Sequence, residues 1–282
     1  MEHAERDRLR AEGIERRKLD FPVIFRDKMA KFWDGQWAVY SRDNEDQFVC
    51  AKTTYASREF KIDEADPNIT HHTVARNVNG QINRQTWSFD YSLGTHPFSP
   101  NSAMFFFDTG HGTSAVLDLA KRGQNGGAEI FFAHGHLRHS IIVISDGSTV
   151  TQVASLRESD RAWPVTEWMD FKGLASDPVK ERAWEGKFVG TEKKITLDYR
   201  NVDLSEHATW QGFRSSTSSL YQTVHLPDNV SVSFPRDFSV LQGFEIIGYW
   251  RPTENEVHEV SVVYGPDAFF DSVRLGVYVH MQ

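Results

Sequence analysis

The sequence predicts an all-β protein, with two related antiparallel barrels or half-barrels in tandem behind an N-terminal helix. Three observations carry that reading. From Phe32 onward, short runs rich in Val, Ile, Phe, Trp, Tyr and Thr are separated by Asp-Gly, Asn-Gly, Gly-Gly and Pro signals, which is antiparallel strand texture. Asn79-Gly80 divides VARNVNGQINRQTWSFDYS and Asp146-Gly147 divides HSIIVISDGSTVTQVASL, and such pairs tolerate the positive φ of primed hairpin turns. Finally, Trp184-Glu185-Gly186-Lys187-Phe188 echoes Trp33-Asp34-Gly35-Gln36-Trp37 after 151 residues, and each half ends in a hairpin whose closing strand carries an arginine, Arg157 or Arg274.

The elements follow in order. Residues 1–31 read as a charged helical arm or lid, because Leu9, Ile14 and Leu19 are too sparse for a deep core-facing stripe. Residues 32–158 form the first barrel. Within it, Phe105, Phe106 and Phe107 put apolar surface on both faces of one strand, which suits a strand between the barrel interior and either the other unit or the helix. Residues 159–182, broken by Pro164, Gly173 and Pro178, read as a linker, and residues 183–282 as a second, shorter barrel. A βαβ rhythm is missing, which argues against a parallel sheet.

Composition narrows the function classes. With 39 acidic against 31 basic residues and a formal charge of −8, the chain has no basic field for nucleic acid. The lone Cys50 excludes an internal disulfide framework, and no apolar run approaches the ~18 residues of a membrane span. The N-terminus mixes charges of both signs and lacks a secretory apolar core, so the expected compartment is the cytoplasm; a transit peptide removed before residue 1 stays open. Oligomeric state is left open as well.

A G-x-W at the mouth of the first strand, with an arginine late in the same unit, resembles the lipocalin and wider calycin pattern. The resemblance implies that Gly35, Trp37 and Arg157 close the first barrel, with Trp37 packed on Arg157 as a cation–π pair of about 0.5–2 kcal/mol. In the second unit it implies the same of Gly186, Phe188 and Arg274, with Phe standing where Trp is expected. Three segments, FWDGQWAVYSRD, EIFFAHGHLRHSIIVISDGSTVTQVASLRES and LPDNVSVSFPRDFSVLQGFEIIGYWRP with its following hairpin, are similar to the two-part DUF3598 proteins of photosynthetic microbes. That family brings no agreed reaction with it.

Chemistry-bearing residues are scattered. His134 and His136 in FFAHGHLRHS fall on one face of a presumed strand, with Arg138 alongside, but a metal would need ligands from elsewhere, and the glutamate of a cupin motif is missing. No metal and no cofactor is therefore expected. His71, His72 and His111 lie beside turns and read as surface residues. Glu245 in GFEIIGYW shares its side with Ile247 and Tyr249; a carboxylate turned into an apolar barrel has a raised pKa and can move protons near neutrality. His134, His136 and Glu245 are the weak catalytic candidates, against the ordinary reading of each as a solvated side chain. Nucleophile elbows, phosphate loops and dinucleotide loops are lacking, and Cys50 reads as a small packed residue. Trp87, Phe89 and Tyr91 alternate along one strand; with Phe106, His134, His136 and Arg138 they are the candidate ligand-binding set, although any single ring is more often core.

The expected function is binding of a hydrophobic small molecule, such as a terpenoid, polyene, fatty-acid derivative or pigment, in a barrel cavity. Cofactor-free isomerisation or cyclisation is the enzymatic version. The alternatives are a bilin- or tetrapyrrole-handling lyase or chaperone-like protein, or a non-catalytic scaffold whose barrels are filled by side chains.

Overall fold

The computed structural model describes residues 3–66, 69–90, 95–96, 99–119, 126–161, 184, 186–240 and 242–281. Helix α1 (His3–Lys28) is followed by β1 (Phe32–Arg42), β2 (Phe48–Ile62), β3 (Ile69–Val78), β4 (Gln81–Asp90), β5 (Thr95–His96), β6 (Ser99–Phe106), β7 (Gly112–Val116), β8 (Gly126–His134), β9 (Leu137–Asp146) and β10 (Thr149–Ser159). These ten strands form one antiparallel sheet in the order β4-β3-β2-β1-β10-β9-β8-β7-β6-β5. Sequence neighbours pair, and the first strand also pairs with the last, so the meander curls round with its seam between β4 and β5. Asn79 and Gly80 take φ of 54° and 81° at the β3–β4 turn, and Gly147 takes 60° between β9 and β10, as such turns require.

The second sheet repeats this plan with fewer strands: β11 (Phe188–Thr196), β12 (Asn201–Thr209), a short helical turn α2 (Arg214–Thr217), β13 (Tyr221–Leu226), β14 (Val230–Pro235), β15 (Phe244–Thr253), β16 (Glu256–Tyr264) and β17 (Phe270–His280). Its order is β12-β11-β17-β16-β15-β14-β13, again with first strand on last and the seam between β12 and β13. The protein is thus all-β, with two antiparallel barrel-like sheets in tandem behind an N-terminal helix. Most of the expected linker, residues 162–182, lies outside the described residues.

The outer faces of the two sheets pack together. Phe105 stacks on Phe270 at 4.5 Å between ring centroids, and Gly248 lies flat under Ile130 and Phe132, where a Cβ would come within 3.0–3.2 Å of their side chains. The Tyr264 hydroxyl donates to the Val116 carbonyl at 3.1 Å.

Helix α1 is docked, not a free arm, and its buried face differs from the expected one. Gly13, Arg17, Phe21 and Phe25 are buried at four-residue intervals, each next to the one before, in a stripe that winds slowly along the helix, and buried Met29 continues it just past the helix end. Leu19, by contrast, is 75 % exposed. At Gly13 a side chain would lie 2.5 Å from the Leu197 carbonyl oxygen, so glycine lets the helix touch the β11–β12 turn. There Arg16 bonds the Asp198 carboxylate at 2.7 Å, and Phe21 packs between Phe106 and Tyr199. Burial of each phenylalanine is worth roughly 1.5–3 kcal/mol. The same helix therefore holds the second half with its N-terminal part and the first half with its C-terminal part.

Candidate functional site

The concave side of the first sheet encloses a cavity of about 750 Å³. Cross-strand register decides what faces it. Trp37 lies opposite Leu156 and Thr54, Val39 opposite Ala154, Ala154 opposite Ile142, and Arg58 opposite Val74, so these residues share the inner face. Val39, Val74, Val116, Ile142, Ile144 and Leu156 make the apolar wall, and Trp87 and His72 extend it across β3 and β4. Exposed Lys52 and Arg76 line the cavity too, and give it a cationic rim.

The other end is shut. Arg58, Arg138 and Glu158 are all buried, and Glu158 is 0 % exposed. Glu158 accepts from Arg58 Nε at 2.6 Å and Nη2 at 2.8 Å, from Arg138 Nε at 2.8 Å, and from Trp37 Nε1 at 3.1 Å. Glu129 pairs with Arg58 at 3.3 Å, and Ser140 accepts from Arg58 at 2.9 Å. Burial alone would raise the Glu158 pKa, but Arg138 and Arg58 overcome it and hold the carboxyl down at about 2. Burial and the neighbouring Arg58 charge pull Arg138 down to about 10, so it stays a cation at neutral pH. Beneath the cluster, Arg138 lies over the Trp33 ring at 4.3 Å, Trp33 Nε1 donates to the Met29 carbonyl at 3.1 Å, and Phe25 meets Phe60 edge-on at 5.5 Å. Helix α1 plugs this end.

The expected closure pair is corrected by register. Arg157 lies opposite Gln36, and therefore on the other face of the sheet from Trp37. It forms a buried ion pair with Asp228 at 3.2 Å, reaching the second half. The cations over Trp37 are Arg76 at 5.1 Å and Arg58 at 5.6 Å. At Gly35 a Cβ would lie 1.9 Å from the Arg157 carbonyl oxygen, so glycine lets β1 approach β10 closely.

In the second half the equivalent close approach falls at Gly190, where a Cβ would lie 1.8 Å from the Val277 oxygen and 2.6 Å from the Tyr278 Cα. Gly186, which the sequence echo singles out, stands four residues earlier, with φ 141°, against the His280 ring. Phe188 is buried, in edge contact with Trp210 at 5.7 Å. Arg274 is half exposed and pairs with Glu245 at 3.3 Å, so it matches neither Arg157 nor a closing residue.

The ligand-binding candidates divide. Trp87 lies on the cavity wall; Phe89 sits on the same side of β4, 6.5 Å from the His72 ring. Tyr91 lies outside the described residues. Phe106 is buried against Phe21 and Phe131, at the plugged end. Arg138 belongs to the floor. His134 and His136 do not share a strand face, because Gly135, at φ 58°, turns the chain and β8 ends at His134. His136 sits in that turn, half-buried.

Other expectations are revised as well. His72 lines the cavity, stacked on Phe60 at 4.2 Å, and His111 is 3 % exposed; neither is a surface residue. Cys50 is exposed, not packed. His134 lies at the seam of the two halves, 3.5 Å from a Glu256 oxygen that is 3.6 Å from His258. Burial and the nearby His134 charge bring the His258 pKa down to about 4.

Glu245 faces the concave side of the second sheet, with Glu259 and Glu192. Glu259 there is pushed up to about 8 by burial, with Glu245 and Glu192 adding to the shift. The registers of β15 on β16 and of β11 on β17 bring Glu259 to the same side as Glu245 and Glu192, a convergence that no local pattern shows.

Comparisons with known proteins agree with this architecture. The family described as Domain of unknown function (DUF3598), N-terminal, matches residues 24–162. A crystal structure of a DUF3598-family protein of unknown function from Nostoc punctiforme superposes with a TM-score of 0.66 at 13 % identity, covering 90 % of this chain and 97 % of that one. Transferrin binding protein B from Neisseria meningitidis reaches a TM-score of only 0.21 at 9 % identity, over 89 % of this chain and 76 % of that one, and carries no argument. No curated protein matches the sequence. Residues 24–162, then, match the N-terminal model of the DUF3598 family, which is defined without an assigned function.

Proposed function

We propose that the first barrel binds a hydrophobic small molecule, apolar along its body and anionic or polar at one end. The observation that carries this reading is the cavity of about 750 Å³, whose apolar wall runs from the Lys52–Arg76 rim to the Arg58–Glu158–Arg138 floor. Pockets of roughly 300–1,000 Å³ accept drug-sized molecules. The rim supplies charge where a carboxylate or similar group would emerge, and leaves the body to contact Val39, Val74, Ile142, Ile144 and Leu156.

Binding without catalysis fits the chemistry of the floor better than isomerisation or cyclisation does. Both carboxylates at the floor, Glu129 and Glu158, are paired with arginine, and Glu158 stays ionised far below neutral pH. An acid so committed does not give up or take a proton near pH 7.

Ala154→Trp tests the proposal, since Ala154 lines the cavity between Val39 and Ile142. Titration with an environment-sensitive anionic apolar dye, 8-anilinonaphthalene-1-sulfonate, is expected to show saturable binding to the parent, weakened at least tenfold in the variant at unchanged melting temperature. Equal binding by both proteins would overturn the reading. Native mass spectrometry of protein from its own source then identifies the retained molecule.

A further inference from the structure

We propose that His134, Glu256 and His258 form a binding site for a divalent transition metal, of zinc-like ligand preference, at the seam between the two halves. One ligand atom from each residue lies within 4.8 Å of the other two. The Glu256 oxygen stands 3.5 Å from His134 Nδ1 and 3.6 Å from His258 Nε2. A tetrahedral ion with bonds of about 2.0–2.1 Å places neighbouring ligand atoms about 3.4 Å apart, so the two edges to Glu256 need to close by only a few tenths of an ångström; the edge between His134 and His258, within 4.8 Å, closes by a turn of the half-exposed His134 ring.

Orientation of the buried ligand is already fixed. His258 Nδ1 lies 2.9 Å from His111 Nε2, and His111 Nδ1 lies 2.8 Å from the Thr109 hydroxyl. With Nδ1 of His258 engaged by His111, Nε2 is the nitrogen turned to Glu256. Metal-binding histidines are held in this way, by a hydrogen bond on the ring nitrogen that does not coordinate. Two imidazoles and one carboxylate suit zinc and its neighbours, not magnesium or calcium, which take oxygen ligands. The side chains of His134 and Glu256 are 36 % and 34 % exposed, so an ion could enter and keep a water as its fourth ligand. His134 closes β8 in the first half, whereas Glu256 and His258 begin β16 in the second. A bound ion would therefore fasten the halves together, and binding only the folded form would stabilise it.

The competing explanation is a plain histidine–carboxylate ion pair. Metal-free protein titrated with Zn²⁺ by calorimetry, and with Co²⁺ followed by visible absorption, separates the two. Expected are one equivalent of Zn²⁺ bound, the intense visible bands of four-coordinate cobalt, and a higher melting temperature with Zn²⁺. His134→Ala and Glu256→Gln, both at half-exposed positions, should each weaken binding at least tenfold and abolish the melting shift. His71→Ala, which removes the separate His71–Asp63 pair, should leave both unchanged. Lack of stoichiometric binding to the parent, or undiminished binding by His134→Ala and Glu256→Gln, would overturn the site.

Discussion

Glu158→Gln isolates the cluster that closes the first barrel. The parent carboxylate is fully buried and takes hydrogen bonds from Arg58, Arg138 and Trp37. Glutamine offers one acceptor oxygen and turns an amide N–H toward a guanidinium. Among the described residues, the carboxylate left beside the two buried arginines is Glu129, which pairs with Arg58 at 3.3 Å. Breaking one side of a buried ion pair costs about 3–5 kcal/mol. Proton linkage gives an independent figure. A carboxyl held at about 2 in the folded protein, against 4.5 when free, contributes about 3 kcal/mol at neutral pH. Because the folded value is the lower one, that contribution is complete above the free value and is lost as pH falls toward 2. Some 1.5 kcal/mol should remain at about pH 3. The assay is urea unfolding of parent and variant at pH 7, 5 and 3. A gap of about 3–5 kcal/mol at pH 7 that shrinks by roughly half at pH 3 is expected. A gap under about 1 kcal/mol at pH 7, or one unchanged at pH 3, refutes the reasoning.

Two further predictions concern the second half. Glu259 has a raised folded-state pKa, about 8, so between its ordinary value and 8 the folded protein holds a proton that the unfolded chain has lost. Stability from this group is present at low pH and declines as pH rises through that window; thermal melts from pH 5 to 9 should show Glu259→Gln gaining on the parent toward pH 8, and parallel curves would contradict the assignment. Gly190→Ala would push a methyl group against the Val277 oxygen at 1.8 Å, so it should cost at least about 2–3 kcal/mol, as Gly35→Ala should in the first half. A Gly190→Ala protein that melts like the parent would remove the proposed equivalence of the two glycines.

Strand texture, turn chemistry and duplication were legible in the sequence because each is local. Asn79-Gly80 and Asp146-Gly147 mark turns by backbone preference alone, and an alternating run needs no partner to be recognised. What failed depends on pairing. The echo of Trp33–Trp37 at Trp184–Phe188 is real as sequence, yet β11 seats Gly190, not Gly186, against its partner strand. A shift of that kind reassigns every side chain that follows. The Trp37–Arg157 pair failed for the same reason, since one residue of offset places Arg157 on the opposite face. Helix α1 departs from the expected arm because its buried stripe runs through Gly13, Arg17, Phe21 and Phe25, a glycine, an arginine and two aromatics that an aliphatic periodicity does not pick out. The cavity's aromatic wall was partly legible in Trp87, but its floor joins Arg58, Arg138 and Glu158 from three strands, a juxtaposition that no local pattern encodes.

The two halves differ in the chemistry placed beside their equivalent glycines. Two residues after Gly35 stands Trp37, whose indole N–H donates to Glu158, the residue opposite Gly35. Two residues after Gly190 stands Glu192, which accepts from Tyr278, the residue opposite Gly190. The same cross-strand contact is thus present twice with donor and acceptor exchanged. In the first half the acid sits on the closing strand, where Arg58 and Arg138 can neutralise it, and the cavity beyond stays apolar with a cationic rim. In the second half the acid sits on the opening strand, near Glu245 and Glu259, and among the described residues Glu245 is the one of the three paired with an arginine, the half-exposed Arg274. Carboxylates gathered in this way raise one another's proton affinity and repel an anionic ligand. An apolar acid that enters the first half would therefore be excluded from the second, so the dye weakened at least tenfold by Ala154→Trp should not reappear at a site in the other sheet.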